Sequence, residues 1–173
     1  MRDPTAETAS DLRARVPPLN SLAGKTIALL DIGKMRGDEF IDRLEQLCQA
    51  RAVTTRRFKK PTNTRVAPRD MIRDIAASCQ AVVIALSDCG SCTSCSTHDL
   101  DDLDKKGLPG VSVLTEEFRQ AFESQRSAIG LDAAAIYVPH PMQIRTTAEL
   151  HRFAELSVDA ILAAICTNEA LAR

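Results

Sequence analysis

Ala81-Val82-Val83-Ile84-Ala85-Leu86-Ser87-Asp88-Cys89-Gly90-Ser91-Cys92 decides how the chain must fold. Its first six residues are apolar and rich in β-branched side chains, the pattern of a strand buried on both faces. Small residues follow at once and carry two thiols. A strand that breaks into small residues ahead of a helix sets those thiols at its carboxyl end, where open α/β sheets hold their ligands. Cys95 lies three residues further on, so three of the six cysteines share the stretch from Asp88 to Asp99, expected as a thiol loop. Ser96 and Asp99 have capping-box spacing and are expected to open a helix through Leu100, Leu103 and Lys106, which Gly107 and Pro109 stop.

Upstream, Thr26-Ile27-Ala28-Leu29-Leu30-Asp31-Ile32 is a second continuous apolar run and the first strand. Phe40, Ile41, Leu44, Leu47 and Cys48 recur at helical spacing, as do Met71, Ile72, Ile75, Ala76 and Cys79. Between them, Ala52 to Phe58 alternates and carries charges, which predicts a strand near a sheet edge. Downstream come a strand at Val111–Leu114, a helix N-capped by Thr115 and running through Phe118 and Phe122 to Gly130, a strand at Ala134–Val138, and a last helix from about Thr147 to Cys166. Strands alternating with helices predict an α/β fold: a mostly parallel sheet of four to five strands with helices on both faces, flavodoxin-like or a related doubly wound arrangement. Residues 1–23, with Pro4, Pro17, Pro18 and a helix-like hint at 6–15, are expected as an N-terminal arm, and residues 24–173 as a single α/β domain.

The chain of 173 residues has a formal net charge of −1, so it lacks the basic footprint of a nucleic-acid binder. Aromatics are only 3% of it, which leaves few stacking platforms and a core of Leu, Ile, Val and Ala. No apolar run approaches the ~18 residues of a membrane span, and the N-terminus lacks a signal peptide's apolar segment. A cytoplasmic protein is expected, in which cysteines serve packing, catalysis or metal binding rather than structural disulfides. The long apolar last helix and the coreless arm suggest a homodimer.

Cys48, Cys79 and Cys166 fall on helical stripes and are expected to be packing residues. Cys89 and Cys92 have the spacing of a dithiol, and the following helix N-terminus favours a thiolate. Cys95 and His98 are the further catalytic candidates, to stabilise the thiolate or deliver a proton. Asp31, Lys34, Asp88, Ser91, Thr115, Glu116 and His140 follow the strand ends and are candidates for substrate binding. The alternative for Cys89, Cys92, Cys95 and His98 is a ligand set for zinc, iron or cobalt in a metal-dependent hydrolase, hydratase or lyase. A non-catalytic redox sensor or subunit is a third class. Asp101, Asp102, Asp104, Lys105 and Lys106 are expected on a solvated helix face, and His151 on the surface. No glycine-rich nucleotide loop follows any strand.

The run Ser87 to Asp99, with Gly107-x-Pro109, Thr115-Glu116-x-Phe118 and Val138-Pro139-His140-Pro141, resembles the UGSC family of selenoproteins and their cysteine homologues. The first motif position there is often selenocysteine, so the resemblance implies Cys89 as the attacking chalcogen and Cys92 as its resolving partner. It also implies a distant likeness to the selenoprotein B component of glycine, sarcosine and betaine reductases. Together these predict a thiol-dependent oxidoreductase that reductively cleaves a carbon–heteroatom bond of a small molecule, restored by thioredoxin or a small thiol. Gly110 stands where family members tend to carry a β-branched residue, which predicts a loosened start to the fourth strand.

Overall fold

The two continuous apolar runs are two of the three inner strands of a five-stranded sheet. The computed structural model describes residues 12–167. In chain order the elements are β1 (Thr26–Asp31), α1 (Gly37–Gln49), β2 (Thr54–Lys59), α2 (Arg69–Ser78), β3 (Ala81–Ser87), α3 (Gly90–Asp104), β4 (Gly110–Thr115), a 3-10 turn (Glu116–Phe118), α4 (Arg119–Ile129), β5 (Ala134–Val138) and α5 (Thr147–Ile165). All strand pairs are parallel, in the order β2-β1-β3-β4-β5. Every residue of β3 and β4 is buried, as strands apolar but for Ser87, Ser112 and Thr115 and covered on both faces should be. The charged β2 lies at an edge, where Arg56 and Arg57 pair with Asp74 and with Asp42 and Glu45.

The apolar stripes of α1 and α5 close one face of the sheet with Phe40, Leu44, Leu150 and Ile161; α2, α3 and α4 close the other with Ile75, Leu100 and Phe122. Cys48, Cys79 and Cys166 are buried in these cores. The chain leaves β1 for one edge and β3 for the other, so the crevice at their carboxyl ends is the topological switch point.

Four local expectations are corrected. Helix α3 begins at Gly90, six residues ahead of Ser96, so the thiol stretch is a helix and not a loop. Ser96 faces inward and shares a hydrogen bond with Ser87 (Oγ to Oγ, 3.1 Å) instead of capping. The early start escapes an apolar-periodicity test because the inner face of this part of α3 is small and polar. Thr93 and Thr97 donate their hydroxyls back to the carbonyls of Cys89 and Thr93 (2.8 Å each), which removes the polar cost of burying them. Thr115 ends β4 and makes no side-chain cap; its hydroxyl is committed elsewhere. Asp101 and Asp104 are buried rather than solvated: Arg13 of the arm binds both carboxylates, and Val16 N–H donates to Asp104 (2.7 Å). Asp102, Lys105 and Lys106 are exposed, as expected.

Gly110 is the fourth correction. A Cβ there would lie 2.5 Å from Leu100 Cδ1 and 2.7 Å from Val82 Cγ1, so the glycine lets α3 approach the sheet and tightens the start of β4. Gly110→Val is expected to cost about 1–3 kcal/mol through overpacking, measured as a lower urea midpoint.

The described part of the arm docks on its own chain. Arg13 exchanges backbone hydrogen bonds with Gly130 and Asp132, and Leu19 with Ile165 and Thr167. The inner stripe of α5 packs in the core of its own chain, and Leu156 on the same helix is exposed. Residues 6–11 of the helix-like hint lie outside the described residues.

Candidate active site

Only Asp88 and Cys89 separate β3 from α3, so the strand's end fixes where the first thiol stands. Cys89 is the N-cap of α3 with extended backbone (φ −151°, ψ 162°). Its sulfur accepts from Cys92 N–H at 3.4 Å while Cys92 Sγ accepts from Cys89 N–H at 3.0 Å, a capping box built with sulfur in place of oxygen. The two Sγ atoms lie 2.7 Å apart and both cysteines are free. Cys92 Sγ is also 3.0 Å from the Cys89 carbonyl, so its single proton has two acceptors; once Cys89 ionises, the charged sulfur is the stronger one. Ser91 Oγ stands 3.6 Å from Cys89 Sγ.

These contacts divide the pair chemically. Burial works against a Cys89 thiolate, but the Cys92 thiol, the Ser91 hydroxyl, the Cys92 N–H and the charge of Lys34 together hold the Cys89 thiol below its ordinary value. Burial and the neighbouring Cys89 push Cys92 up to about 11. The first proton lost leaves Cys89. Cys92 is completely buried whereas Cys89 is partly open to solvent.

The cation comes from the loop after β1. Gly33 there has φ +78°, and a Cβ would meet Lys60 O at 2.8 Å, so only glycine lets the loop turn against the end of β2. Lys34 Nζ then reaches Asp88 Oδ1 at 2.8 Å; the approach is off the hydrogen-bond direction and acts as an ion pair. Asp88 holds Lys34 above its ordinary value despite burial, which keeps the ammonium charged beside the thiols. On the other flank Thr115 Oγ1 and His140 Nδ1 share a hydrogen bond of 3.0 Å, and the Phe118 ring packs edge-on against the imidazole with centroids 5.7 Å apart. Along the sheet's carboxyl edge the order is therefore Lys34 after β1, Asp88 and Cys89 after β3, Thr115 ending β4, and His140 after β5.

Residues 1–167 match the UGSC family. The chain belongs to the UGSC family. No curated protein matches it. Among solved structures it is similar to a point mutant of flavodoxin from Pseudomonas aeruginosa, at 14% identity and TM-score 0.50, covering 81% of this chain and 98% of that one. It is also similar to a diflavin flavoprotein A3 from Nostoc sp., at 11% identity and TM-score 0.47, covering 86% of this chain and 95% of that one. The fold is flavodoxin-like, with the strand order 2-1-3-4-5.

In this UGSC protein the motif Cys89-Gly90-Ser91-Cys92 is the first turn of α3, and Ser91 is exposed beside the first thiol. Cys95 is half-buried one turn on, and burial pushes its thiol up. His98 is an exposed residue well inside α3, not in its first turn, because the helix starts eight residues before it. The ligand set expected for a metal is not the one assembled: among the described residues Asp88, Cys89 and Cys92 bring one ligand atom each within 4.8 Å of the others, without Cys95 or His98. Asp31 is buried at the end of β1, where Oδ1 accepts from Gly33 N–H (2.7 Å) and Oδ2 faces Lys59 (3.2 Å), so it shapes the loop and does not pair with Lys34. Glu116 is exposed beside the site, and His151 is half-buried on α5.

Lys60 had no sequence signal of a role, and Asp99 was expected to help open a helix with Ser96, not to meet a buried cation. Both are buried, with Lys60 Nζ 2.6 Å from Asp99 Oδ2, while Asp99 Oδ1 accepts from Ala67 N–H at 2.6 Å. The pair ties the β2–α2 loop to α3 below the thiols. Burial raises the Asp99 carboxyl against the pull of the ammonium. The sequence Lys59-Lys60-Pro61 looks like a charged turn, and only the sheet order reveals that α3 passes over it.

Proposed function

We propose that this UGSC protein is a thiol-dependent oxidoreductase in which Cys89 attacks an electrophilic small molecule and Cys92 resolves the adduct. The observation that carries the proposal is the Cys89–Cys92 pair itself: an N-cap thiol favoured as thiolate, 2.7 Å from a buried thiol that keeps its proton. The substrate suited to it has a leaving group on a carbon next to a carbonyl. The Cys89 thiolate forms a C–S bond as the carbon–heteroatom bond breaks, and the leaving group departs with the electron pair. Cys89 is then neutral, which removes two of the three influences holding the Cys92 proton, namely its hydrogen bond to Cys89 and the negative charge there. The Cys92 thiolate attacks Cys89 Sγ: the S–S bond forms, the C–S bond breaks, and the carbon takes the pair and a proton. The substrate gains two electrons and two thiols become a disulfide, which an external thiol or dithiol reduces.

Lys34 keeps the Asp88 charge from opposing the Cys89 thiolate. His140, its ring fixed by Thr115 and Phe118, lines the far side of the crevice.

An α-halo ketone tests the scheme. Reduced protein should release halide and the dehalogenated ketone while forming one Cys89–Cys92 disulfide, and Cys92→Ala should stop at an alkyl adduct on Cys89. Ketone released by Cys92→Ala at the wild-type rate would rule out Cys92 as the resolving thiol. The pH profile gives a second check. Since the Cys89 thiol is held below its ordinary 9.0, alkylation should rise with pH through a midpoint below 9.0. In Cys92→Ala, which lacks the S–H donor, the midpoint should move up.

A further inference from the structure

We propose that a carboxylate oxygen of Asp88, Cys89 Sγ and Cys92 Sγ form a binding site for one soft divalent cation, zinc being the ion that fits, and that its occupancy silences the dithiol. The three ligand atoms lie within 4.8 Å of one another. The carboxylate of Asp88 is buried on the strand-to-helix junction, where the Lys34 ammonium stands 2.8 Å from Oδ1 as an ion pair. A buried carboxylate with one oxygen within 4.8 Å of two thiols is a ready ligand for a cation.

The donor set of two thiolates and one carboxylate matches zinc better than calcium or magnesium, which want oxygen alone. Three ligands from the protein leave the fourth tetrahedral position open toward the crevice. The adjustment needed is small. Two sulfurs on a tetrahedral zinc stand about 3.8 Å apart, given Zn–S bonds of about 2.3 Å, so the 2.7 Å pair must open by about 1 Å. Cys89, at the N-cap and partly exposed, has the freedom to make that change. Lys34 pairs with the carboxylate oxygen that the ion leaves free, and its charge balances the site: three anionic ligands and Zn²⁺ sum to −1, and the ammonium brings this to zero. Binding strips the proton from Cys92 and any remaining on Cys89, so affinity rises with pH.

The blocking effect rests on the dithiol chemistry proposed above, whereas the binding does not. Zinc titration of the reduced, chelator-free protein, followed calorimetrically and by iodoacetamide labelling of Cys89, separates the two. One zinc per chain is expected, with labelling of Cys89 suppressed and restored by EDTA. Asp88→Asn should weaken zinc binding by about tenfold or more, as loss of a ligand requires, while its zinc-free urea midpoint reports that the protein remains folded. Cys95→Ser and His98→Gln should bind zinc as the wild type does. An Asp88→Asn protein that binds as tightly as wild type, or loss of binding in Cys95→Ser or His98→Gln, overturns the ligand set. Absence of zinc binding beside normal labelling of Cys89 overturns the site and leaves the dithiol intact; zinc binding without labelling of zinc-free Cys89 does the reverse.

Discussion

Lys60→Met is expected to destabilise the protein by about 3–5 kcal/mol, the cost of leaving a buried carboxylate without its cation. Lys60 and Asp99 side chains are each only 1% exposed and 2.6 Å apart, so no water takes the ammonium's place. The penalty has a defined pH dependence. Burial already raises the Asp99 carboxyl, and removing Lys60 raises it further, so the folded state holds this proton more tightly than the unfolded chain. The destabilisation is therefore full above the folded pKa and fades as pH falls through it toward the unfolded value. Lys60→Met/Asp99→Leu should recover much of the loss, because an apolar pair removes the unpaired charge. Urea unfolding at neutral and mildly acidic pH measures both effects. A loss below about 1 kcal/mol for Lys60→Met would mean that the pair is reached by water.

Cys89→Ser is expected to abolish covalent capture at position 89 and to lower turnover of an electrophilic substrate on the order of 10³-fold or more, since a hydroxyl has no anionic form at neutral pH. The fold should survive. Serine is a strongly preferred N-cap, and its oxygen can accept the Cys92 N–H that sulfur accepts at 3.4 Å, so α3 is retained or slightly stabilised. Far-UV circular dichroism, a urea midpoint and mass spectrometry after iodoacetamide distinguish loss of the nucleophile from loss of structure. Wild-type turnover in Cys89→Ser would remove Cys89 from the chemistry.

The alternation of apolar runs with 3.6-period segments was enough to place five strands, their helices and the thiols at the carboxyl end of β3, because burial on both faces leaves an unambiguous signature in a parallel sheet. Where α3 begins was hidden for a physical reason. Gly90, Ser91, Thr93, Ser94, Ser96 and Thr97 are weak helix formers with no apolar stripe, and cysteine is not among the usual N-caps. The helix is held instead by a sulfur capping box set by the geometry at the strand's end and by close packing over Gly110, a neighbour outside the local pattern, while the threonines satisfy their own hydroxyls.

The motif Cys89-Gly90-Ser91-Cys92 thus determined by itself which residues are the candidates for chemistry and which family the chain resembles, since both depend on residue type and spacing alone. Only the tertiary structure decided what surrounds them. Strand order sets β1 beside β3, which brings Lys34 to Asp88 and Lys60 to Asp99 and leaves His98 on the outside of α3. Those pairings join residues 39 to 54 positions apart, and the charge that stabilises a thiolate acts through space, along a direction that no local pattern in the chain records.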